Sequence, residues 1–127
     1  MSTTGSFRDL KVWAKAHQLV LLVYEATKSF PKDELYGLTS QMRRAVVSVP
    51  ANIAEGYKRK GQQEKIRFYN IAQASLEELR YFIILSNDLQ YDIPEEAEKI
   101  SEEVSMMLEA YIARIKENRV GEPDSEY

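Results

Sequence analysis

The chain contains no cysteine and only one histidine and one tryptophan in 127 residues, and its 5 glycines and 4 prolines are few for its length. Without cysteine there can be no disulfide, no Cys-ligated zinc, no iron–sulfur cluster and no thiol nucleophile. The single histidine, His17, excludes any site that needs two, including the Glu-x-x-His pairs of di-iron helical bundles. An all-β chain of this size would turn about every 8–12 residues, and too few glycines and prolines are present for that. Long apolar runs are absent too. The longest, Leu19–Tyr24, is far short of the ~20 residues of a membrane span. The start, Met1–Ser6, has no basic segment followed by an apolar block, so the expectation is a cytoplasmic protein with no membrane partner. Neither G-x-G-x-x-G nor G-x-x-x-x-G-K-[ST] occurs, so no nucleotide-phosphate loop is expected.

What is present is a folded composition, 44% apolar and 29% charged, and one domain covering residues 1–127. The periodicity is helical throughout. In a first segment, 7–29, Leu10, Trp13, His17, Val20, Leu21 and Tyr24 share a face, while Val12, Ala16, Leu19, Val23 and Ala26 lie on a neighbouring one. Two apolar arcs exceed what one core needs, which suggests a subunit contact. Phe30-Pro31 stops this helix. A second segment, 34–60, is expected to be capped by Asp33, Thr39 or Ser40. It buries Leu38, Met42, Ala45/Val46, Val49 and Ile53, and Pro50 predicts a kink at Ala45–Val49. Gly61 reads as a C′ residue. A third helix, 62–89, presents Ile66, Tyr69, Ala72, Leu76, Leu79, Phe82/Ile83 and Leu89 to the core. A fourth, 95–118, presents Ala97, Ile100, Val104, Met107/Leu108, Tyr111 and Ile115. Residues 1–6 and 120–127 read as flexible tails. Four helices with short links make an all-α, antiparallel up-down-up-down bundle.

Catalysis is not expected. His17 lies on an apolar stripe and reads as a buried histidine with one hydrogen-bond partner. Glu77-Glu78 and Glu102-Glu103 are neighbours on a helix, about 100° apart, and do not face each other. No catalytic or metal-ligating residues, no cofactor and no small-molecule substrate are assigned. The charge, by contrast, is segregated. The formal net charge is −3, yet residues 41–67 carry seven basic side chains against two acidic ones, and residues 95–127 carry ten acidic against four basic. Arg43, Arg44, Lys58, Arg59, Lys60, Lys65 and Arg67, with Tyr57, Phe68 and Tyr69 nearby, are the candidates for gripping phosphates and stacking on bases. The competing reading is that basic groups at a helix C-terminus satisfy carbonyls and complement the dipole.

The run Tyr36-Gly-Leu-Thr-Ser-Gln-Met-Arg-Arg-Ala-Val-Val-Ser-Val-Pro-Ala-Asn-Ile-Ala-Glu-Gly-Tyr57 resembles the signature of the four-helix-bundle family of 23S ribosomal RNA intervening-sequence proteins. Phe7–Trp13 with Ala16, the Phe30-Pro31 turn and Ile71–Leu79 are similar to other parts of that family's pattern, although Ala74 stands where a glycine is common. The resemblance implies kinship with the accessory protein of diversity-generating retroelements and a homo-oligomer, a pentamer, of such bundles. It also implies an association with RNA or a nucleic-acid-processing protein. A ring requires two different patches to meet, and segregated charge suits that: the acidic fourth helix of one protomer could meet the basic second or third helix of the next. The alternative is a protein-interaction scaffold that binds no nucleic acid. No catalytic role is implied for any residue. Ser48, Pro50, Asn52, Glu55 and Gly56 fall in the signature and are expected to be structural, Asn52 and Glu55 satisfying backbone groups that the proline kink frees.

Overall fold

The computed structural model of the protein describes residues 5–117. Among them are four α-helices and no strand: α1, Lys11–Thr27; α2, Leu38–Lys58; α3, Gln62–Asp88; α4, Glu95–Glu117. Single 3-10 turns, Phe7–Asp9 and Lys32–Glu34, precede α1 and α2. The tail at 120–127 and the end of the fourth helix at Asn118 lie outside the described residues. Of the proposed N-terminal tail, Ser6 is ordered into the first turn, where its Oγ accepts from Arg8 N at 3.1 Å.

Neighbouring helices run antiparallel. Along α2, Met42, Ser48 and Gly56 meet Ser86, Ser75 and Tyr69 of α3 in turn, so one chain advances as the other recedes. Gln73 and Arg80 of α3 reach Ser105 and Glu102 of α4 in the same sense. Lys15 closes the ring of four helices onto Glu103 of α4 at 2.9 Å. The axis is filled by the expected stripe of α2 and most of those of α3 and α4, where Ile66 and Tyr111 are half-buried, with Val46, Val49, Ile53, Leu76, Leu79, Val104 and Leu108 fully buried. Leu89 is an exception: it is the C-cap of α3, beyond the last helical turn, and is exposed.

On α1 the arc of smaller side chains is the core, and of the arc of larger ones only Leu10, the N-cap, is buried. Val12, Ala16, Leu19, Val23 and Thr27 are the buried face. Trp13 and Val20 are half-buried, and His17, Leu21 and Tyr24 are exposed. Both arcs have helical spacing, so periodicity cannot rank them. Small and β-branched residues let helices approach closely, whereas Trp, Tyr and His carry polar atoms that favour a wet boundary. His17 is therefore not a buried histidine: its ring stacks on Trp13, centroids 5.0 Å apart and planes within 7°.

The helix ends also differ from expectation. Glu34, not Asp33, Thr39 or Ser40, caps α2, its Oε1 accepting from Leu38 N at 3.1 Å. A Cβ on Gly37 would stand 3.1 Å from that oxygen. Glu34 Oε2 accepts from Tyr91 Oη at 3.1 Å, a bond that holds the Tyr91 phenol above its ordinary pKa. Gly61 has φ −80° and serves as the N-cap of α3, so it is not a left-handed C′ residue. The one positive φ among the described residues belongs to Gln90, at 69°. It ends α3 in a Schellman motif, with Tyr91 N to Ser86 O at 2.8 Å and Gln90 N to Asn87 O at 3.0 Å. α2 runs through Pro50 as one helix from Leu38 to Lys58.

Candidate functional site

The basic residues sit mainly at the corner where α2 hands over to α3. α2 ends at Lys58, and Arg59, Lys60 and Gly61 lead into Gln62. The last carbonyls of a helix lack intrahelical partners. Lys65 supplies them: its Nζ donates to Arg59 O at 2.8 Å, Tyr57 O at 2.9 Å and Gly56 O at 3.1 Å. An ammonium has three protons, and these bonds use all of them. Lys65 is only 5% exposed, its charge placed at the negative end of the α2 dipole. It cannot hold a phosphate as well, which removes it from the candidate set.

Gly56 makes the same corner tight. A Cβ there would lie 2.7 Å from Cε1 of Tyr69, a ring buried in the core. The glycine of the signature is thus a close-approach residue between α2 and α3. Tyr69 belongs to the core and offers no stacking face, and Tyr57 is half-buried with Lys65 Nζ 5.7 Å from its ring centre. Phe68 carries two guanidinium groups over its ring, Arg59 at 4.8 Å and Arg67 at 4.6 Å. Each arginine is held by a neighbouring carboxylate as well, Arg59 by Glu55 at 2.5 Å and Arg67 by Glu64 at 3.3 Å. Glu55 is therefore engaged with Arg59 and does not serve the backbone near Pro50.

Asn52 does serve the backbone, but not at the carbonyl that Pro50 frees. Its Nδ2 donates to Ser48 O at 2.8 Å and to Ser48 Oγ at 2.9 Å, and Ser75 Oγ of α3 donates to the same hydroxyl at 2.8 Å. The freed carbonyl is that of Val46, one turn earlier. Ser48 and Asn52 therefore join α2 to α3 through a polar chain.

Arg43 and Arg44 lie near the opposite end of α2, about 20 Å from Lys58 at 1.5 Å per residue. Arg43 ties α2 to α1: its Nε donates to Thr27 Oγ1 at 2.9 Å, and its guanidinium carbon stands 4.6 Å from the Tyr24 ring centre. Arg44 is exposed. The seven candidates are thus not one patch. Lys58, Arg59, Lys60 and Arg67 are brought together at the α2–α3 corner, Arg44 stands apart, and Arg43 and Lys65 hold the fold. Among the described residues Lys58 and Lys60 have no ion-pair partner.

Among the described residues no group of three or more His, Asp or Glu could hold a metal ion, and no helix is long and apolar enough to cross a membrane. The larger cavities are surface grooves. One, of about 650 Å³ between α1 and α4, is lined by Lys15, Lys99 and five glutamates, Glu95, Glu96, Glu98, Glu102 and Glu103. A second of the same volume lies between α1 and α2.

The family described as 23S rRNA-intervening sequence protein matches residues 8–112. A solved structure with the same fold is a crystal structure of a protein with unknown function from the S23 ribosomal protein family from Bacteroides thetaiotaomicron VPI-5482. It is 24% identical, with a TM-score of 0.70, over 80% of this chain and 95% of that chain. No curated protein matches.

Proposed function

The chain belongs to the 23S rRNA-intervening sequence protein family, and we propose that it works without catalysis, as a self-assembling helical bundle, a pentamer, that offers its α2–α3 corner to the phosphates of RNA. The observation that carries the RNA contact is the corner itself. Lys58 and Lys60 are exposed and unpaired among the described residues, and Arg59 and Arg67 flank them, steadied on Phe68. Arg59 and Arg67, held on the Phe68 ring, lose little freedom on meeting a phosphate. No cofactor or small molecule enters this reading.

Its test is the salt dependence of RNA affinity. Three or four neutralised phosphates on a single strand give a slope of about −2 to −3 in log K against log salt, at about −0.7 each. The double variant Lys58→Glu/Lys60→Glu should flatten that slope and lose at least about tenfold in affinity at low salt, with the helical content unchanged. A wild-type protein with no salt-dependent affinity for RNA would refute the reading.

A protein-only scaffold is the second reading, favoured by the glutamate-lined groove between α1 and α4. It requires an intact assembly that binds no RNA at any salt concentration.

A further inference from the structure

Among the described residues nine large apolar side chains are exposed, and seven of them fall on two surfaces, Leu89 and Met106 standing apart. Five, Leu21, Tyr24, Leu35, Tyr36 and Val47, lie on α1, on α2 or in the link between them. Four of these, Tyr24, Leu35, Tyr36 and Val47, line the 650 Å³ groove between α1 and α2. On α3, Tyr81 and Ile84 stand outward on the side shared with α4, in a hollow that Glu77, Arg80 and Glu98 also line. Since α1 neighbours α2 and α3 neighbours α4 around the bundle, the two apolar surfaces lie on opposite sides.

Their charges are opposite as well. The α1–α2 groove is lined by Arg43 and Arg44, and Arg44 has no ion-pair partner among the described residues, although Glu78 shares a neighbouring hollow with it. The α3 stripe continues to Glu77 one turn before Tyr81, an exposed carboxylate paired with Arg80 at 3.6 Å, and to Asp88 one turn after Ile84, exposed and without an ion-pair partner among the described residues. A basic, apolar concavity on one side and an acidic, apolar ridge on the other are complementary but not alike. A two-fold axis pairs a patch with itself and needs it to be self-complementary, which neither surface is; unlike surfaces on opposite sides join head to tail.

From this we infer that the α1–α2 groove takes the Tyr81–Ile84 ridge of a second copy of the chain, with Arg44 facing the carboxylate of Asp88. The inference rests on the self-assembly part of the proposed function and assigns its two mating faces. It also accounts for the outer arc of α1, which the protomer's own core leaves uncovered.

Head-to-tail contact has a consequence that a symmetric contact lacks. Tyr36→Glu spoils the groove but leaves the ridge; Tyr81→Glu spoils the ridge but leaves the groove. Tyr36 is 92% exposed and Tyr81 57%, so neither change disturbs the core, which circular dichroism would verify. By light scattering at micromolar concentration, the wild type should be an oligomer, each variant alone a monomer, and an equal mixture of the two a dimer that grows no further. A wild type that is monomeric overturns the self-assembly reading and this inference with it. An oligomer that survives both substitutions, or a mixture that stays monomeric, overturns the inference alone.

Discussion

Gly56 and Gly61, five residues apart, show how differently two glycines are constrained. A Cβ at Gly56 would meet the Tyr69 ring at 2.7 Å, while nothing lies within 4 Å of one at Gly61. Gly56→Ala should therefore destabilise the protein by about 1–3 kcal/mol, the range for overpacking a filled core. Gly61→Ala, at φ −80°, should be neutral or stabilising by up to about 1 kcal/mol. Urea unfolding of the two variants checks both. Lys65 illustrates the limit of reading charge from sequence. Its neighbours in the chain mark it as one more cation of a basic run, and only the return of α3 past the end of α2 reveals that its three protons are taken. Lys65→Met should cost about 1–3 kcal/mol by leaving buried carbonyls unsatisfied, yet leave the salt slope of RNA binding at its wild-type value. A flattened slope in a folded Lys65→Met protein would return this residue to the binding site.

At the scale of elements, the four helices and most of their buried stripes were legible because α2, α3 and α4 each carry one dominant apolar face. α1 carries two, and its larger side chains point to the wrong one. The contrast is measurable: Leu19→Ala should cost about 2–5 kcal/mol and Leu21→Ala, in the isolated protomer, less than about 0.5. Equal costs would mean that the two arcs are not core and surface. Helix ends were less legible than helix bodies, for a physical reason at each. The α2 cap comes from Glu34, whose carboxylate reaches back across a 3-10 turn to Leu38 N. The end of α3 is a left-handed Gln90, where sequence rules look for Gly or Asn. Pro50 was visible as a break in hydrogen bonding. Its consequence was not, since Asn52 turned to Ser48 and Glu55 to Arg59.

For the whole molecule, the formal charge of −3 conceals a separation that matters more than the total. The α2–α3 corner gathers four accessible cations, Lys58, Arg59, Lys60 and Arg67, and carboxylates of α4 lie along its grooves with α1 and α3. Head-to-tail assembly through the α1–α2 groove and the α3 ridge would repeat the basic corner once per protomer around a closed ring, so that one RNA could meet several corners. Multiple linked contacts raise avidity without any new chemistry at each. The most direct test compares the salt slope of RNA binding between the wild type and the Tyr36→Glu monomer, whose substitution lies about 30 Å along α2 from the corner. The monomer should keep a slope of about −2 to −3, and the assembled wild type should be several-fold steeper and tighter. Equal slopes from an oligomeric wild type and a monomeric variant, or no salt dependence in either, would contradict the account.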